Sequence, residues 1–336
     1  MTPLGVLGAG SFGTALAVHA SRAGRPTVLW ARRPQVARAL AAARENRTYL
    51  AGVAFPSALS VTADLAPVAA AEPVIVAAPS HGFREVLRGF LAARAGAPAT
   101  IVSATKGVEL DTLARMSRIA AEEGARAGVE IDFAVLSGPT FAAELARGVP
   151  SAAVIASERA ELAAALQESL AGPTFRLYSS TDVVGVELAG AAKNVIAIAA
   201  GVLSGLGLGH NTLAALITRG LHEMTRLAVA YGGDLKTLSG LAGLGDLVLT
   251  CTGALSRNRR TGIELAQGKT LAEIEAETSE IAEGVRNSRA IRWLAEKRGV
   301  EMPIIEQMVE VIYSGKSPKQ ALRDLMTREL KEESRL

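Results

Sequence analysis

A single lysine lies in the apolar stretch GVELAGAAKNVIAIAAG at residues 185–201. An ammonium group buried without a partner is costly, so Lys193 must reach solvent, find a carboxylate or lose its proton. A side chain that snorkels to water at the edge of a helix is the alternative interpretation. A lysine amine can donate the proton that an alkoxide needs when a ketone is reduced, and can accept it in the reverse direction. The stretch therefore makes Lys193 a candidate acid–base group.

A carboxylate that could pair with this lysine occurs in the stretch GLGDLVLTCTGALSRNRRTG at residues 243–262. Asp246 follows a glycine-rich bend and precedes an apolar run, a position where an unpaired carboxylate is unfavourable. We therefore predict that Asp246 is the partner of Lys193.

The end of the same stretch, SRNRR, is typical of a helix start. Ser256 is predicted to cap the helix, with Arg257 and Asn258 in its first turn. Arginine at a helix N-terminus opposes the helix dipole unless an anion binds there, so a phosphate group would remove the conflict. A solvent-exposed basic turn is the alternative interpretation, above all for Arg259 and Arg260.

The N-terminal segment LGVLGAGSFGTALA contains the pattern GxGxxG between an apolar run and an alanine-rich stretch. In a strand–turn–helix setting, Gly8 would form the tight turn, Gly10 would let a pyrophosphate approach the backbone, and Gly13 would let helix and strand pack closely. The free N–H groups at the helix start would then bind the anion. A structural turn without a ligand is the alternative.

The next apolar run, Thr27–Trp30, is followed by Ala31, Arg32 and Arg33, with no carboxylate. An NAD site usually presents an acidic residue there to bind the ribose 2′-hydroxyl, whereas two guanidinium groups suit a 2′-phosphate. We therefore expect NADP(H) to be preferred, with NAD(H) use still open. In the alternative interpretation, one or both arginines simply face solvent.

The order of apolar runs predicts the architecture that positions these residues. Short strands alternate with helical stretches in the N-terminal half, and from about Gly185 onward only helices are expected. We predict a Rossmann-like α/β domain with a parallel sheet at residues 1–184, followed by an all-α domain at residues 185–336. The predicted strands are Leu4–Leu7, Thr27–Trp30, Val74–Ala77, Ile101–Ser103, Phe133–Leu136, Ser151–Ala156 and an edge strand at Phe175–Tyr178.

Three loops should lie at the carboxyl ends of strands, where ligands bind in such sheets: VIVAAPSHG, IVSATKG and VLSGPTFAAE. Lys106 lies in the second of them and is the only lysine before Lys193, in a region that holds sixteen arginines. A single lysine among so many arginines indicates a role that a guanidinium group cannot fill. The alternative is that a lysine occurs here by chance. In the third loop, Thr140 is predicted to cap a helix whose N–H groups could bind an anion.

Composition and charge argue against several classes of partner and site. The net charge is +3 and the basic residues are scattered, so we predict no nucleic-acid partner. The single cysteine and four dispersed histidines predict no disulfide and no metal site, and they fit a cytoplasmic protein without a signal peptide. The uncharged segment Asn194–Thr218 is long enough to suggest a membrane span, but its glycines favour two buried helices joined by a bend.

Six motifs, in this order along the chain, resemble the bacterial type of NAD(P)-dependent glycerol-3-phosphate dehydrogenase: GAGSFGTALA, SATKGVE, SGPTFAAE, AGAAKNVIAIAAG, GLGDLVLTCTGALSRNR and IAEGVRNS. The resemblance extends to the last predicted helix, in MPIIEQMVEVIYSGKSP. It implies reversible reduction of dihydroxyacetone phosphate to sn-glycerol 3-phosphate, which supplies glycerophospholipid synthesis.

The resemblance also implies roles for individual residues. Lys193 would be the proton donor or acceptor, Asp246 would support it, and Lys106 would contact both substrate and cofactor. The other implied substrate contacts are Gly138, Thr140, Ser256, Arg257 and Asn258. The implied cofactor contacts are Gly8, Gly10, Ser11, Phe12, Gly13, Arg32, Arg33, Ala142, Arg257, Ile281 and Glu283. Relatives often carry tryptophan where Phe12 stands, and Arg33 is less typical of the family than Arg32.

Two alternatives remain open at this point. One is another dehydrogenase of the same architecture, of the 3-hydroxyacid or 6-phosphogluconate type, although SRNR together with KNVIAIAAG argues against it. The other is a non-catalytic protein that senses NADP(H), which would not need Lys193, Asp246 and an anion site together. The apolar helical domain makes a homodimer plausible, and no stretch identifies its interface.

Overall fold

The computed structural model describes residues 2–277, 282–330 and 332–333. The chain forms two compact units, Met1–Lys106 with Ala114–Val183, and Gly107–Leu113 with Val184–Leu336. The elements of the first are β1 Leu4–Leu7, α1 Ser11–Arg22, β2 Thr27–Trp30, α2 Pro34–Ala43, β3 Glu45–Asn46, β4 Leu50–Ala54, β5 Leu59–Thr62, α3 Ala66–Ala69, β6 Val74–Val76, α4 Ser80–Arg94, β7 Ala99–Ser103, α5 Met116–Ala127, β8 Ile131–Ser137, α6 Ala142–Arg147, β9 Ser151–Ala156, α7 Ala160–Leu170 and β10 Phe175–Ser180. Then follow α8 Val183–Gly205, α9 His210–Ala230, α10 Leu235–Ser239, a π-helical turn Leu241–Gly245, α11 Asp246–Thr252, α12 Arg257–Ala266, α13 Leu271–Glu277, α14 Glu283–Arg298, α15 Pro303–Tyr313 and α16 Pro318–Met326.

The first unit is built on an eight-stranded sheet with the order β10-β9-β8-β7-β6-β1-β2-β5. The predicted Rossmann-like architecture is confirmed. Neighbouring strands are parallel except for β8 and β9, so β9 and β10 run opposite to the other six strands. The prediction of a parallel sheet rests on the five strands up to Phe133–Leu136, and it gave no direction for β9 and β10, because a strand's apolar pattern is the same in either direction. β1 lies between β6 and β2, where the strand order changes direction and where ligands bind in such sheets.

The sequence predicted seven of the eight strands of the large sheet. β1, β2 and β9 match the prediction residue for residue, and β6, β7, β8 and β10 differ from it only at their ends. The prediction omitted β5 and the β3–β4 hairpin, whose strands are short and lack a long apolar run. That hairpin packs Leu50 and Val53 into the core of the unit.

The second unit is helical, and α8 is its central element. The helix is long and apolar enough to cross a membrane, yet 94% of its apolar window is buried inside the protein. α8 and α9 are separate helices joined by the glycine-containing turn at residues 206–209, as predicted. The expectation that both helices are buried is wrong for the first half of α9, since no residue of this helix before Gly220 is buried.

The loop Gly107–Leu113 packs with the second unit, although the sequence analysis placed it in the N-terminal domain. Val108, only 3% exposed, lies in the same buried cluster as the α8 side chains, and Leu110 and Leu113 pack against that cluster. These are contacts between segments far apart in sequence, so local patterning could not reveal them.

A buried carboxyl group holds two helices of the second unit together. Glu223 of α9 is 2% exposed, and its oxygens accept hydrogen bonds from the backbone N–H groups of Ile304 (2.8 Å) and Ile305 (3.3 Å) at the start of α15. Burial raises the pKa of Glu223 to about 8, although these two N–H groups and Arg226 favour the charged form.

We expect this carboxyl to make stability depend on pH. Because its folded-state pKa of about 8 lies above the usual 4.5, the native state binds the extra proton and the contribution to stability is present below pH 4.5. It is lost as pH rises through about 8. Glu223→Gln carries no titrating group at this position, so its unfolding free energy relative to that of wild type should rise between pH 5.5 and pH 8.5, by more than about 1 kcal/mol. Unfolding free energies at the two pH values check this, and parallel pH profiles would contradict it.

Candidate functional site

Two of the three glycines in the motif after β1 are sterically required. Gly8 has a φ of +119°, which disfavours a side chain, and a Cβ there would lie 2.7 Å from the Ala77 carbonyl oxygen. A Cβ on Gly13 would lie 2.0 Å from the Gly8 carbonyl oxygen, so only glycine lets α1 begin this close to the loop. Gly10 differs from both, because a Cβ there would meet nothing within 4 Å. The space above Gly10 is open.

The start of α1 offers an unused set of hydrogen-bond donors. Gly10 is the N-cap residue and α1 has no side-chain cap. Among the described residues, no acceptor bonds the backbone N–H groups of Gly10, Ser11, Phe12 and Gly13. Four donors at the positive end of a helix, next to open space, fit the pyrophosphate of a dinucleotide. The Rossmann interpretation of the motif is thus supported by the geometry of the loop.

The two arginines predicted to recognise a 2′-phosphate follow β2 and are exposed. The Arg32 guanidinium lies 3.8 Å from the Glu85 carboxylate of α4, and both side chains are mostly in solvent, so the pair contributes little to stability. Arg33 is the N-cap residue of α2. Both guanidinium groups are accessible to an anion at the end of β2.

Lys106 is fixed at the carboxyl edge of the sheet. Its ammonium donates to the Gly138 carbonyl oxygen at 3.0 Å and lies 5.9 Å from the centre of the Phe12 ring. Gly138 adopts a φ of +151°, and a Cβ there would lie 2.8 Å from the backbone of Ala153. From the loop after β7, one lysine thus contacts the loop after β8 and lies near the start of α1.

Thr140 does not cap a helix, contrary to the prediction. α6 begins at Ala142 with Phe141 as its N-cap residue and no side-chain cap. The Thr140 hydroxyl instead donates to the Gly138 carbonyl oxygen at 3.2 Å. The threonine is one residue earlier than the cap position, and its side chain fixes the loop rather than the helix. Ala142, the first residue of α6, is partly buried, and α6 packs on α1.

In the second unit, Lys193 and Asp246 meet as predicted. The Lys193 ammonium donates to the Asp246 carboxylate at 2.7 Å and to the Thr250 hydroxyl at 2.7 Å. Lys193 is 5% exposed and Asp246 is 2% exposed, so the snorkelling interpretation is wrong. Thr250 in turn donates to the Asp246 carbonyl oxygen at 2.6 Å. Two of the three ammonium N–H bonds are therefore directed by α11, which orients the nitrogen.

A π-helical turn delivers Asp246 to this position. Residues Leu241–Gly245 form the turn, and α11 starts at Asp246 itself. A Cβ on Gly243 would lie 2.1 Å from the Leu238 carbonyl oxygen, so the tight approach to α10 requires glycine. Such turns are rare and occur often at functional sites.

The residue after Lys193 ties α8 to the predicted phosphate anchor. The Asn194 side-chain oxygen accepts from the Asn258 amide at 2.9 Å, and the Asn258 oxygen accepts from the Gly284 N–H at 2.9 Å. Ser256 is the N-cap residue of α12, and its hydroxyl accepts from the Arg259 N–H at 3.2 Å, as predicted. The hydrogen bond between Asn194 and Asn258 therefore fixes the start of α12 relative to α8, the helix that carries Lys193.

The two arginines flanking Asn258 have different environments. Arg257, in the first turn of α12, is exposed. Arg259 is partly buried and donates to the Ser204 hydroxyl at 3.1 Å, so the interpretation of this residue as a freely solvated turn is wrong. Arg260 is exposed, in agreement with that interpretation.

Of the two remaining predicted cofactor contacts, one lies at the start of α14. Glu283 is its first residue. Ile281 lies outside the described residues. Among the described residues, no three histidine, cysteine, aspartate or glutamate side chains are grouped to hold a metal ion. Cys251 is fully buried, and burial raises the pKa of its thiol to about 12, so the thiol stays protonated at neutral pH.

Two residues of this arrangement were missed by the sequence analysis. Thr250 lies four residues after Asp246, which places both on one face of α11, and that spacing could have revealed it. Asn194 is contained in the quoted motif, but its partner is 64 residues away along the chain.

Comparisons with known proteins give a consistent result. Residues 3–163 match the family model described as NAD-dependent glycerol-3-phosphate dehydrogenase N-terminus, and residues 182–323 match the corresponding C-terminus model. A relative from Solidesulfovibrio magneticus, named glycerol-3-phosphate dehydrogenase (NAD(P)+), is 46% identical over 333 residues, covering 98% of this chain and 99% of the relative. One of the same name from Geobacter metallireducens is 49% identical, with 98% of each chain covered. The solved glycerol-3-phosphate dehydrogenase from Coxiella burnetii is 38% identical, with a TM-score of 0.91 over 97% of this chain and 99% of that one.

Proposed function

The chain belongs to the NAD-dependent glycerol-3-phosphate dehydrogenase family, and on that premise we propose that it reduces dihydroxyacetone phosphate reversibly to sn-glycerol 3-phosphate. The observation that carries the chemistry is the buried lysine oriented by Asp246 and Thr250. The family match over both halves of the chain argues against the 3-hydroxyacid and 6-phosphogluconate alternatives.

The chain's own part in the reaction is proton transfer at the carbonyl oxygen. As hydride reaches C2 of the ketone, negative charge develops on its oxygen, and the Lys193 ammonium donates the proton that makes the hydroxyl. In the reverse direction the neutral amine takes that proton back. Asp246 holds the nitrogen in place and favours its charged form before transfer, while Thr250 fixes its orientation.

The substrate phosphate needs an anchor, and we propose that α12 provides it. Ser256, Arg257 and Asn258 form the start of this helix, where the helix dipole and an exposed guanidinium both favour an anion. Anchoring the phosphate would orient the ketone before reaction, which is worth several orders of magnitude in effective concentration. We further propose that Lys106, Gly138 and Thr140 contact the substrate.

The cofactor assignment rests on the loop after β1. We propose that Gly8, Gly10 and Gly13 with the N–H groups of Ser11 and Phe12 hold the pyrophosphate; the other assigned cofactor contacts are Lys106, Ala142, Arg257, Ile281 and Glu283. When bound, the reduced nicotinamide supplies the hydride. Relatives are named for NAD(P)+, and we propose a preference for NADP(H) with NAD(H) also accepted, on the strength of Arg32 and Arg33.

The activity is tested by the oxidation of NADPH and NADH with dihydroxyacetone phosphate and with unphosphorylated dihydroxyacetone. We expect rapid turnover with the phosphorylated ketone, faster with NADPH, and loss of most of kcat/KM without the phosphate. No turnover with either cofactor, in protein shown to bind NADPH, would overturn the proposal and favour a sensor.

Cofactor preference should depend on Arg32. Arg32→Ala removes a charge-assisted contact to the 2′-phosphate, so the KM for NADPH should rise about tenfold while that for NADH changes less than about twofold. Arg33→Ala tested in the same way separates the two arginines. Arg38→Ala, on the exposed face of α2, is the matched control. Equal effects on both cofactors would contradict a role in phosphate recognition.

The open space above Gly10 gives a second test of the cofactor site. Gly10→Ala meets no protein atom within 4 Å and has a φ of −75°, so the protein should keep its Tm. The methyl group would block the approach of a pyrophosphate, and we expect the Kd for NADPH to rise at least about tenfold. Gly82→Ala, also in open space but inside α4, should change neither quantity by much. Unchanged NADPH affinity in Gly10→Ala would place the pyrophosphate elsewhere.

Three broader assignments belong to the same proposal. The product sn-glycerol 3-phosphate would supply glycerophospholipid synthesis, and the chain would act in the cytoplasm. We also propose a homodimer, because the helical unit exposes large apolar side chains such as Val229 (48%) and Leu235 (47%). Sedimentation velocity separates monomer from dimer.

A further inference from the structure

The β3–β4 hairpin, which the sequence analysis missed, places one buried side chain against the glycine loop. Asn46 is 1% exposed. Its side-chain nitrogen donates to the Ala9 carbonyl oxygen at 3.0 Å and to the Thr14 hydroxyl at 2.8 Å. Its side-chain oxygen accepts from the Tyr49 N–H at 3.2 Å. Both amide donors and one acceptor lone pair are therefore used, so the side chain has one fixed orientation.

The hairpin that carries Asn46 is itself anchored to the unit. The Arg44 guanidinium donates to the carbonyl oxygens of Leu59 (2.7 Å), Phe55 (3.3 Å) and Pro56. Leu50 and Val53, each 4% exposed, are buried in the core of the unit. These contacts therefore hold in place the backbone segment that carries Asn46.

The bond to Ala9 determines where the next N–H group points. The Ala9–Gly10 peptide is trans and planar, so its C=O and N–H point in opposite directions. Holding the Ala9 oxygen toward the hairpin thus aims the Gly10 N–H away from the hairpin. This N–H is one of the four donors at the start of α1 that no acceptor bonds among the described residues.

We propose that Asn46 is a positioning residue for the dinucleotide: it presets the Ala9–Gly10 peptide so that the Gly10 N–H is oriented for the pyrophosphate before the cofactor binds. The proposal rests on the proposed function, since it takes a dinucleotide as the ligand. A preset donor loses no conformational freedom on binding, so its contribution appears in cofactor affinity. Asn46 lies against the glycine loop, and the chemical step should not need it.

The test compares Asn46→Asp and Asn46→Leu with Thr14→Val. Asp has nearly the same shape as Asn and keeps the acceptor for Tyr49, but a carboxylate cannot donate to Ala9. Thr14→Val removes the other bond of the Asn46 amide and leaves the Ala9 bond intact. It therefore measures the effect of loosening the same buried contact without releasing the loop. NADPH Kd is measured by fluorescence titration, Tm by thermal denaturation, and kcat at saturating NADPH and dihydroxyacetone phosphate.

We expect both Asn46 variants to raise the NADPH Kd at least about tenfold and to keep kcat within about twofold of wild type. Thr14→Val should lower Tm and change the Kd less than about threefold. An unchanged Kd in Asn46→Asp overturns the inference, and so does an equal rise in Thr14→Val, because packing alone would then explain the effect. If one Asn46 variant fails to fold, the other decides. Wild-type protein that fails to bind NADPH would instead overturn the proposed function.

Discussion

Replacing Lys193 by methionine is expected to lower kcat for dihydroxyacetone phosphate by about 10²–10⁴-fold, because the substitution removes the proposed proton donor. The Kd for NADPH should stay within about threefold of wild type, since the glycine loop proposed to bind its pyrophosphate belongs to the first unit and Lys193 to the second. Lys236→Met, which removes an exposed lysine of α10, is the matched control and should keep full activity.

The same substitution should also destabilise the protein, and that effect must be separated from the chemistry. Without the ammonium, the Asp246 carboxylate is left buried and loses its partner, a cost of about 3–5 kcal/mol in comparable buried pairs. Lys193→Met with Asp246→Asn removes both charges, so the double variant should recover most of the lost unfolding free energy. It should remain inactive. Recovery of activity along with stability would show that Lys193 serves the fold and not the proton transfer.

The second large effect concerns the crossing of α8 and α12. A Cβ on Gly262 would lie 1.9 Å from the Ile198 carbonyl oxygen, and one on Gly201 would lie 1.9 Å from the Arg259 carbonyl oxygen. A change of side-chain rotamer cannot relieve either clash, because the atoms that clash belong to the helix backbones. Gly262→Ala must therefore push the helices apart, at a cost of about 3 kcal/mol or more, which corresponds to a fall in Tm of roughly 6–12 °C.

The separation should also impair substrate binding, because Asn258 reaches Asn194 across the same crossing. We expect the KM for dihydroxyacetone phosphate to rise in Gly262→Ala by more than about tenfold, whereas the NADPH Kd should change little. Gly209→Ala is the matched control: a Cβ there meets nothing within 4 Å, and its φ is −83°. A Tm for Gly262→Ala as high as that of the control would show that the crossing is not as tight as the structure has it.

The sequence predicted those features that depend on local patterns. The Lys193–Asp246 pair was expected because each residue is a charge in an apolar stretch, and burial of one charge demands the other. The Ser256 cap was expected from its residue type and the helix that follows. The glycine motif was assigned from its strand–turn–helix context, and the open space at Gly10 agrees with that assignment.

Features that depend on contacts distant in sequence could not be predicted. The reversal of β9 and β10 leaves no mark on their apolar pattern. Threonine is a common N-cap residue, but α6 starts one residue later than a Thr140 cap requires. Asn46 looks like an ordinary polar residue in sequence, and its hydrogen bond to Ala9, 37 residues earlier, is visible only in the structure.

The most direct test of the central claim follows the transferred atom itself. Purified protein is incubated with dihydroxyacetone phosphate and NADPH carrying deuterium on the transferable position of C4, and the product is analysed by mass spectrometry and NMR. The account predicts sn-glycerol 3-phosphate with one deuterium at C2, and no such product from the Lys193→Met, Asp246→Asn double variant. Oxidation of NADPH without deuterium at C2 would contradict the proposed hydride transfer and the role given to Lys193.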